Sequence, residues 1–199
     1  IAHQVNSPLQ GITALLSVMK ETHQDDPDLA GNIHLLEGAF NRIRDTVRKL
    51  LDLNRPDQEE RQPVNVHEIL TDTVSLVGTH LRQTGIKANL NFCKESIYLT
   101  ASPQQLEHVF LNLINNAIEA ITAVGQKTKD LYAGEITIST KMHKDSILIE
   151  IADSGPGIPE DVLSHIFDAF YTRKGKLGMG IGLAVCKAVI EKHKGTIAA

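Results

Sequence analysis

Apolar positions in the first fifty residues recur with the period of helices packed along a seam. Ala2, Val5, Leu9, Ile12, Leu16 and Met19 follow one another at alternating steps of three and four. After the polar stretch His23–Asp28, the same rhythm returns in Ile33, Leu36, Phe40, Ile43, Val47 and Leu50. This heptad pattern predicts two helices. Asp26 can cap the second and Pro27 suits its first turn, so the connection is short and the pair is an antiparallel hairpin. Leu15, Ala39 and Leu51 widen the apolar stripes beyond what one two-helix seam buries. Two chains pairing into a four-helix bundle would cover them. The alternative is a hairpin docked on the rest of its own chain.

The periodicity stops at Arg55–Pro63, a charged stretch with two prolines that reads as a linker. It divides the chain into residues 1–57, the helical hairpin, and residues 58–199. In the second part, Val64–Val66 leads into a helix with Leu70, Val74, Val77 and Leu81 on one side, ended by Gly85. Ile86–Phe92 alternates as a strand does, and a short strand follows near Ile97–Leu99. A helix runs from Pro103 past Ile121, Glu135–Met142 and Ser146–Ala152 form a hairpin of half-buried strands, and a helix covers Ile181–His193. The fold class is therefore multidomain, α followed by α/β. The second domain is expected to be a sandwich of one mixed sheet with helices on one face. The chain opens inside a periodic pattern and closes on Gly195–Ala199, which reads as a strand cut short, so a fragment of a longer protein is expected.

Composition narrows the partners. The 199 residues are 42% hydrophobic and 22% charged with a net charge of -4. Mild acidity argues against nucleic acid, which calls for a basic patch. No apolar run approaches the ~20 residues that span a bilayer, so no membrane contact by this segment is expected. Cys93 and Cys186 are the only cysteines, which suits a reducing, cytoplasmic setting, with any membrane attachment lying in segments outside this sequence. The nine histidines include no H-x-x-x-H pair, so zinc is not indicated.

Three stretches of the second domain carry chemistry. In Leu106–Ala120, Asn112 and Asn116 stand four apart and stack on one helical face. Their carbonyl oxygens suit a hard cation that bridges phosphates; the same spacing also suits a polar outer face. In Ile149-Glu-Ile-Ala-Asp-Ser-Gly-Pro-Gly-Ile158, a strand runs into Asp153, which can accept from an exocyclic amine, and glycines that let backbone approach a flat ring. In Lys174-Gly-Lys-Leu-Gly-Met-Gly-Ile-Gly-Leu183, alternate glycines open a helix whose free N–H groups suit phosphate oxygens. The spacing is not G-x-G-x-x-G, so a dinucleotide fingerprint does not fit. Lys174–Gly180 reads as a mobile lid.

In order and spacing these stretches resemble the N, G1 and G2 boxes of the sensor histidine kinases of two-component systems. Ile166–Lys174 is similar to that family's F box, His193-Lys-Gly195 to its usual ending, and His3-Gln-Val-Asn-Ser-Pro-Leu9 to its H box. The likeness covers nearly the whole chain. It implies a dimeric four-helix bundle followed by a Bergerat-type (GHKL) ATPase sandwich. It also implies an ATP-dependent protein-histidine kinase that autophosphorylates His3 and passes the group to an aspartate in a response regulator receiver domain. The resemblance makes Asp153 the adenine contact, Asn116 a magnesium ligand assisted by Asn112, and Lys174 a contact of the terminal phosphate. Gly155, Gly157, Ile158, Gly178, Met179, Gly180, Ile181, Gly182 and Leu183 complete the ATP site.

The heptad count puts His3 beside the seam, pointing to solvent, and Pro8 should bend the helix just beyond it. Two residues depart from the family. Gln4 stands where a carboxylate is usual, so it can hold a ring N–H but adds no negative charge. Ser7 stands where Asn or Thr aligns water for dephosphorylating the regulator. The alternative reading is a degenerate dimeric ATP-binding scaffold, or a phosphatase-biased member, with weak or no autophosphorylation.

Overall fold

The structure, a computed structural model, describes residues 11, 12, 14–16, 18–20, 22, 29, 31–33, 36–38, 40, 61–128, 134–144, 146–172 and 180–199. The chain divides into two compact units, Ile1–Pro56 and Asp57–Ala199.

In the first unit all the described residues are helical. Leu16 and Ile33 are buried while Ile12, Leu15, Met19 and Leu36 are exposed. Lys20 Nζ meets Glu37 Oε2 at 3.1 Å, joining the stretches on either side of the polar break as an antiparallel hairpin requires. Phe40 is helical and partly buried, while the remaining seam positions, the Asp26–Pro27 cap, His3, Gln4, Ser7, Pro8 and the linker as far as residue 60 lie outside the described residues.

The second unit begins with β1 (Gln62–Asn65) and α1 (Val66–Leu76). Asn65 starts the helix by accepting from the His67 N–H at 3.1 Å while its amide donates to Glu68 at 3.0 Å, which satisfies groups the first turn would leave unpaired. One helix was expected as far as Gly85; instead Val77 leaves helical geometry and α2 (Gly78–Thr84) follows. Gly78 weakens the helix at that point, and the buried Val77 turns the chain while staying in the core. Thr73, polar yet fully buried, donates to the Ile69 carbonyl at 2.7 Å and so needs no outside partner.

The strands β2 (Lys87–Asn91), β3 (Tyr98–Ala101), β4 (Glu135–His143) and β5 (Ser146–Asp153) do not make the single mixed sheet expected from the sequence. Among the described residues β1 pairs only with β3, antiparallel, and a separate three-stranded sheet has the order β2-β4-β5. β1 and β3 have four residues each, and Pro63 in β1 has no N–H to give a second neighbour. In the larger sheet β2 runs parallel to β4, and β4 antiparallel to β5. Residues 195–199 form no strand, having no ladder partner among the described residues.

Ile136, Ile138 and Thr140 are buried on one face of β4, whereas Ser139, Lys141 and Glu150 bond to one another on the other face. Helices therefore cover one face only, as the alternation predicts. The central helix, α3 (Pro103–Thr128), packs on β4 and β5 and is flanked by α1 and by α5 (Gly182–Lys192). Ser102 caps α3 ahead of Pro103, its Oγ accepting from the Gln105 N–H at 3.3 Å. The core is built from Leu70, Ile97, Val109, Ile114, Ile118 and Val185, all nearly inaccessible. A four-residue helix, α4 (Glu160–Leu163), lies between β5 and α5 in the chain. Among the described residues no helix is long and apolar enough to cross a membrane.

Candidate functional site

One face of α3 organises the site. Asn112, Asn116 and Ala120 succeed one another at four-residue steps and so lie along a single stripe. At one end of it, the Asn112 Oδ1 lies 3.5 Å from where a Cβ on Gly182 would stand, which sets this amide against the first residue of α5. The Asn112 Nδ2 is buried and has no hydrogen-bond partner among the described residues. A buried amide donor without a partner is costly, and one beside a helix N-terminus suits an anionic ligand. Among the described residues no side chain caps α5, and the N–H groups of its first turn have no acceptor within the helix. The dipole there favours negative charge.

At the other end of the stripe stands the turn after β5. Asp153 is the last residue of that strand and pairs in register with the buried Ile136, so its side chain emerges on the helix-facing side. Its Oδ1 accepts from the Gly155 N–H at 2.8 Å, while an ionised carboxylate has further acceptor sites for an amine. Gly155 packs so closely that an added Cβ would meet Asp153 Oδ1 at 2.5 Å and the Ala120 Cβ at 3.1 Å. Ser154 bonds twice to Glu135, its N–H donating to the carbonyl at 3.0 Å and its Oγ accepting from the amide at 2.9 Å. These bonds fix the direction in which Asp153 leaves the sheet. Gly157 and Ile158 continue the turn, Ile158 being exposed.

The segment before α5 is fastened to the turn around residue 170. The Phe170 N–H donates to the Gly180 carbonyl at 2.9 Å. Gly180 has φ 63°, and a Cβ there would run into the Tyr171 carbonyl oxygen. Ile181 is buried, and Leu183 is partly so.

Asn112, Asn116, Asp153, Gly155, Gly180 and Gly182 thus border one region, with α3 as its floor. His3, Gln4, Ser7, Lys174, Gly178 and Met179 lie outside the described residues. Sequence reasoning missed Ala120 and Phe170. Ala120 could have been found by carrying the Asn112–Asn116 step one turn further. Phe170 has φ 69°, which leaves no trace in residue type.

Comparison with known proteins gives a consistent result. Residues 1–59 match the His Kinase A (phospho-acceptor) domain, and residues 101–199 match the histidine kinase-, DNA gyrase B- and HSP90-like ATPase family. Sporulation kinase A of Bacillus subtilis (strain 168) is 33% identical over 201 residues, covering 99% of this chain and 30% of that protein. The signal transduction histidine-protein kinase AtoS of Escherichia coli (strain K12) is 30% identical over 202 residues, covering 99% of this chain and 31% of its own length. The chain thus spans about a third of these curated relatives. Among solved structures, the nucleotide-free catalytic domain of histidine kinase ThkA superposes with TM-score 0.59 at 28% identity, over 67% of this chain and 82% of that one. ThkA in complex with response regulator protein TrrA gives 0.69 at 26% identity, over 99% and 55%.

Proposed function

Because the chain belongs to the sensor histidine kinases, with a phospho-acceptor helical domain followed by an ATPase domain of the gyrase B and HSP90 type, we propose that it is an ATP-dependent protein-histidine kinase. It phosphorylates its own His3 and passes the group to an aspartate of a response regulator. The observation that carries the reading is the stripe on α3, where an unpartnered Asn112 amide faces the uncapped start of α5 and Ala120 receives the Asp153–Gly155 turn.

In this reading Asp153 accepts a hydrogen bond from the adenine amino group, and Gly155, Gly157 and Ile158 line the ring. The first N–H groups of α5 and the Asn112 amide hold phosphate oxygens. Gly178–Leu183 completes the phosphate side, and Lys174 meets the terminal phosphate. Asn116 and Asn112 have carbonyl oxygens of the kind that hold magnesium together with phosphates and water. When bound, that ion would offset negative charge on the phosphates. Neutral imidazole at His3 has a lone pair to attack the γ-phosphorus in line as the bond to ADP breaks. Gln4 accepts the proton-bearing ring nitrogen's hydrogen bond and so fixes the tautomer.

The division at residues 57 and 58 separates phospho-acceptor from nucleotide-binding work, and two chains pair through the first unit into a four-helix bundle. ThkA has been solved with a response regulator; the partner proposed here is a receiver domain of the same kind. ATP chemistry and two cysteines that share no disulfide suit the cytoplasm. Incubation with γ-labelled ATP and magnesium tests the whole reading. An acid-labile, base-stable label that disappears in His3→Ala is expected. ATP binding with no label at His3 would instead identify a scaffold, and absence of binding would remove the assignment.

A further inference from the structure

We infer that His165 and Asp168 are positioning residues for the nucleotide, acting through Phe170 and Gly180 on the start of α5. The inference rests on the reading of that region as the ATP site.

The backbone from α4 onward is a run of tight turns: the His165 N–H donates to Val162, Asp168 to His165, and Tyr171 to Asp168, at 2.9, 2.9 and 3.2 Å. Across the second of these turns, His165 Nδ1 meets Asp168 Oδ2 at 2.8 Å. A carboxylate only accepts, so Nδ1 carries the proton. The same imidazole lies against the Tyr171 ring, with centroids 5.7 Å apart. His165 therefore grips the chain on both sides of Phe170.

Phe170 needs such a grip. Its φ of 69° is a conformation that a bulky side chain rarely adopts, and its ring, 66% exposed, has little packing to hold it. Conformations of this kind persist where the surroundings over-determine them. Here the conformation aims the Phe170 N–H at the Gly180 carbonyl, and Tyr171 closes off the space beside the Gly180 Cα. From Gly180 the chain passes through buried Ile181 to Gly182, where an added Cβ would stand 3.5 Å from the Asn112 Oδ1. A bracket at residues 165–168 thus sets the position of the N–H groups that receive phosphate. The pair itself is exposed, 55% and 61% for the two side chains, and pairs so placed add little to global stability. Its loss should be felt in nucleotide affinity and not in melting.

The test uses the 199-residue chain and compares His165→Ala, Asp168→Ala, the double variant and Asp168→Asn. The readouts are KM for ATP and kcat of autophosphorylation, Kd for ATP with magnesium, and thermal melting. Each alanine variant should raise KM and Kd about threefold, the scale of one exposed pair, with kcat and melting temperature unchanged. The double variant should be no worse than His165→Ala, because the bond to Asp168 is already lost in that single variant. Asp168→Asn should bind as the unaltered chain does, since its amide oxygen accepts the same N–H. Unchanged Kd in both alanine variants overturns the inference. So does a fall in kcat and melting temperature together, which marks a purely structural role, or an Asn variant as weak as the Ala variant. ATP binding by the unaltered chain is measured first; its absence would refute the proposed function, and the inference with it.

Discussion

At His3 and Gln4 the chemistry turns on one functional group. Attack on phosphorus leaves positive charge on the imidazole, and a carboxylate beside it would hold the other ring N–H and offset that charge. In the mechanism proposed here Gln4 can offer a hydrogen bond but no charge. Hydrogen bonds to charged groups are about twice as strong as neutral ones, which amounts to roughly fivefold to tenfold in rate for ~1 kcal/mol. Gln4→Glu should therefore raise the initial rate of labelled phosphoramidate formation by about that factor, with Kd for ATP unaltered. An unchanged rate would mean that the neighbouring residue does not serve the imidazole. Gly155 offers a second test. A methyl group there has no room between Asp153 Oδ1, at 2.5 Å, and the Ala120 Cβ, at 3.1 Å. Gly155→Ala should push the turn off α3 and weaken ATP binding about tenfold or more, read as Kd, because the displaced carboxylate loses a hydrogen bond worth ~1–3 kcal/mol.

Among the elements, the β4–β5 hairpin gives a pH-dependent prediction. Glu150 bonds to Lys141 Nζ at 2.7 Å and to Ser139 Oγ at 3.1 Å. Its pKa lies below the ordinary 4.5, chiefly through the Lys141 hydrogen bond, then that of Ser139, then the lysine's charge. A carboxylate whose folded pKa is lowered adds stability that is present above the unfolded value and fades as pH falls through the folded one. Lys141→Ala should thus melt at slightly lower temperature near neutral pH, and the two melting curves should converge in acid. A gap that stays constant with pH would exclude the pair as its cause. This hairpin was legible in the sequence because one face is apolar and the other polar at every second residue; the start of α3 was legible because Ser102-Pro103 has a cap and a first-turn proline. The sheet's division was not, since pairing partners leave no mark in four-residue strands such as β1 and β3. The helix break at Val77 was hidden for a related reason: Leu70, Val77 and Leu81 stay buried on both sides of it, so the apolar period runs on while the backbone does not. In the site, Asn112 and Asp153 were legible as polar residues interrupting apolar runs. The Phe170–Gly180 fastening depends on backbone dihedrals, which residue type constrains at the glycine and not at the phenylalanine.

For the whole molecule, the apolar residues left outside a single chain of the first unit bear on assembly. Leu15 is 64% and Leu36 is 55% exposed, with Ile12 and Met19 exposed as well. Ile12, Met19 and Leu36 belong to the heptad series and Leu15 widens it, so these side chains continue the apolar stripe whose other part buries Leu16 and Ile33. Burying each leucine contributes ~1.5–3 kcal/mol, and a second copy of the hairpin brings a matching stripe, as isologous pairing requires. The chain should therefore sediment as a dimer at micromolar concentration. Leu15→Glu with Leu36→Glu should convert it to monomer, because two carboxylates per chain would have to be desolvated without partners. Asn112, Asp153 and Gly182 all belong to the other compact unit, so Kd for ATP should not change in that variant. A chain that is monomeric without substitution, or still dimeric with both glutamates, would exclude this stripe as the pairing surface. Loss of ATP binding in the variant would mean that the two units do not fold independently, and that the stripe supports more than assembly.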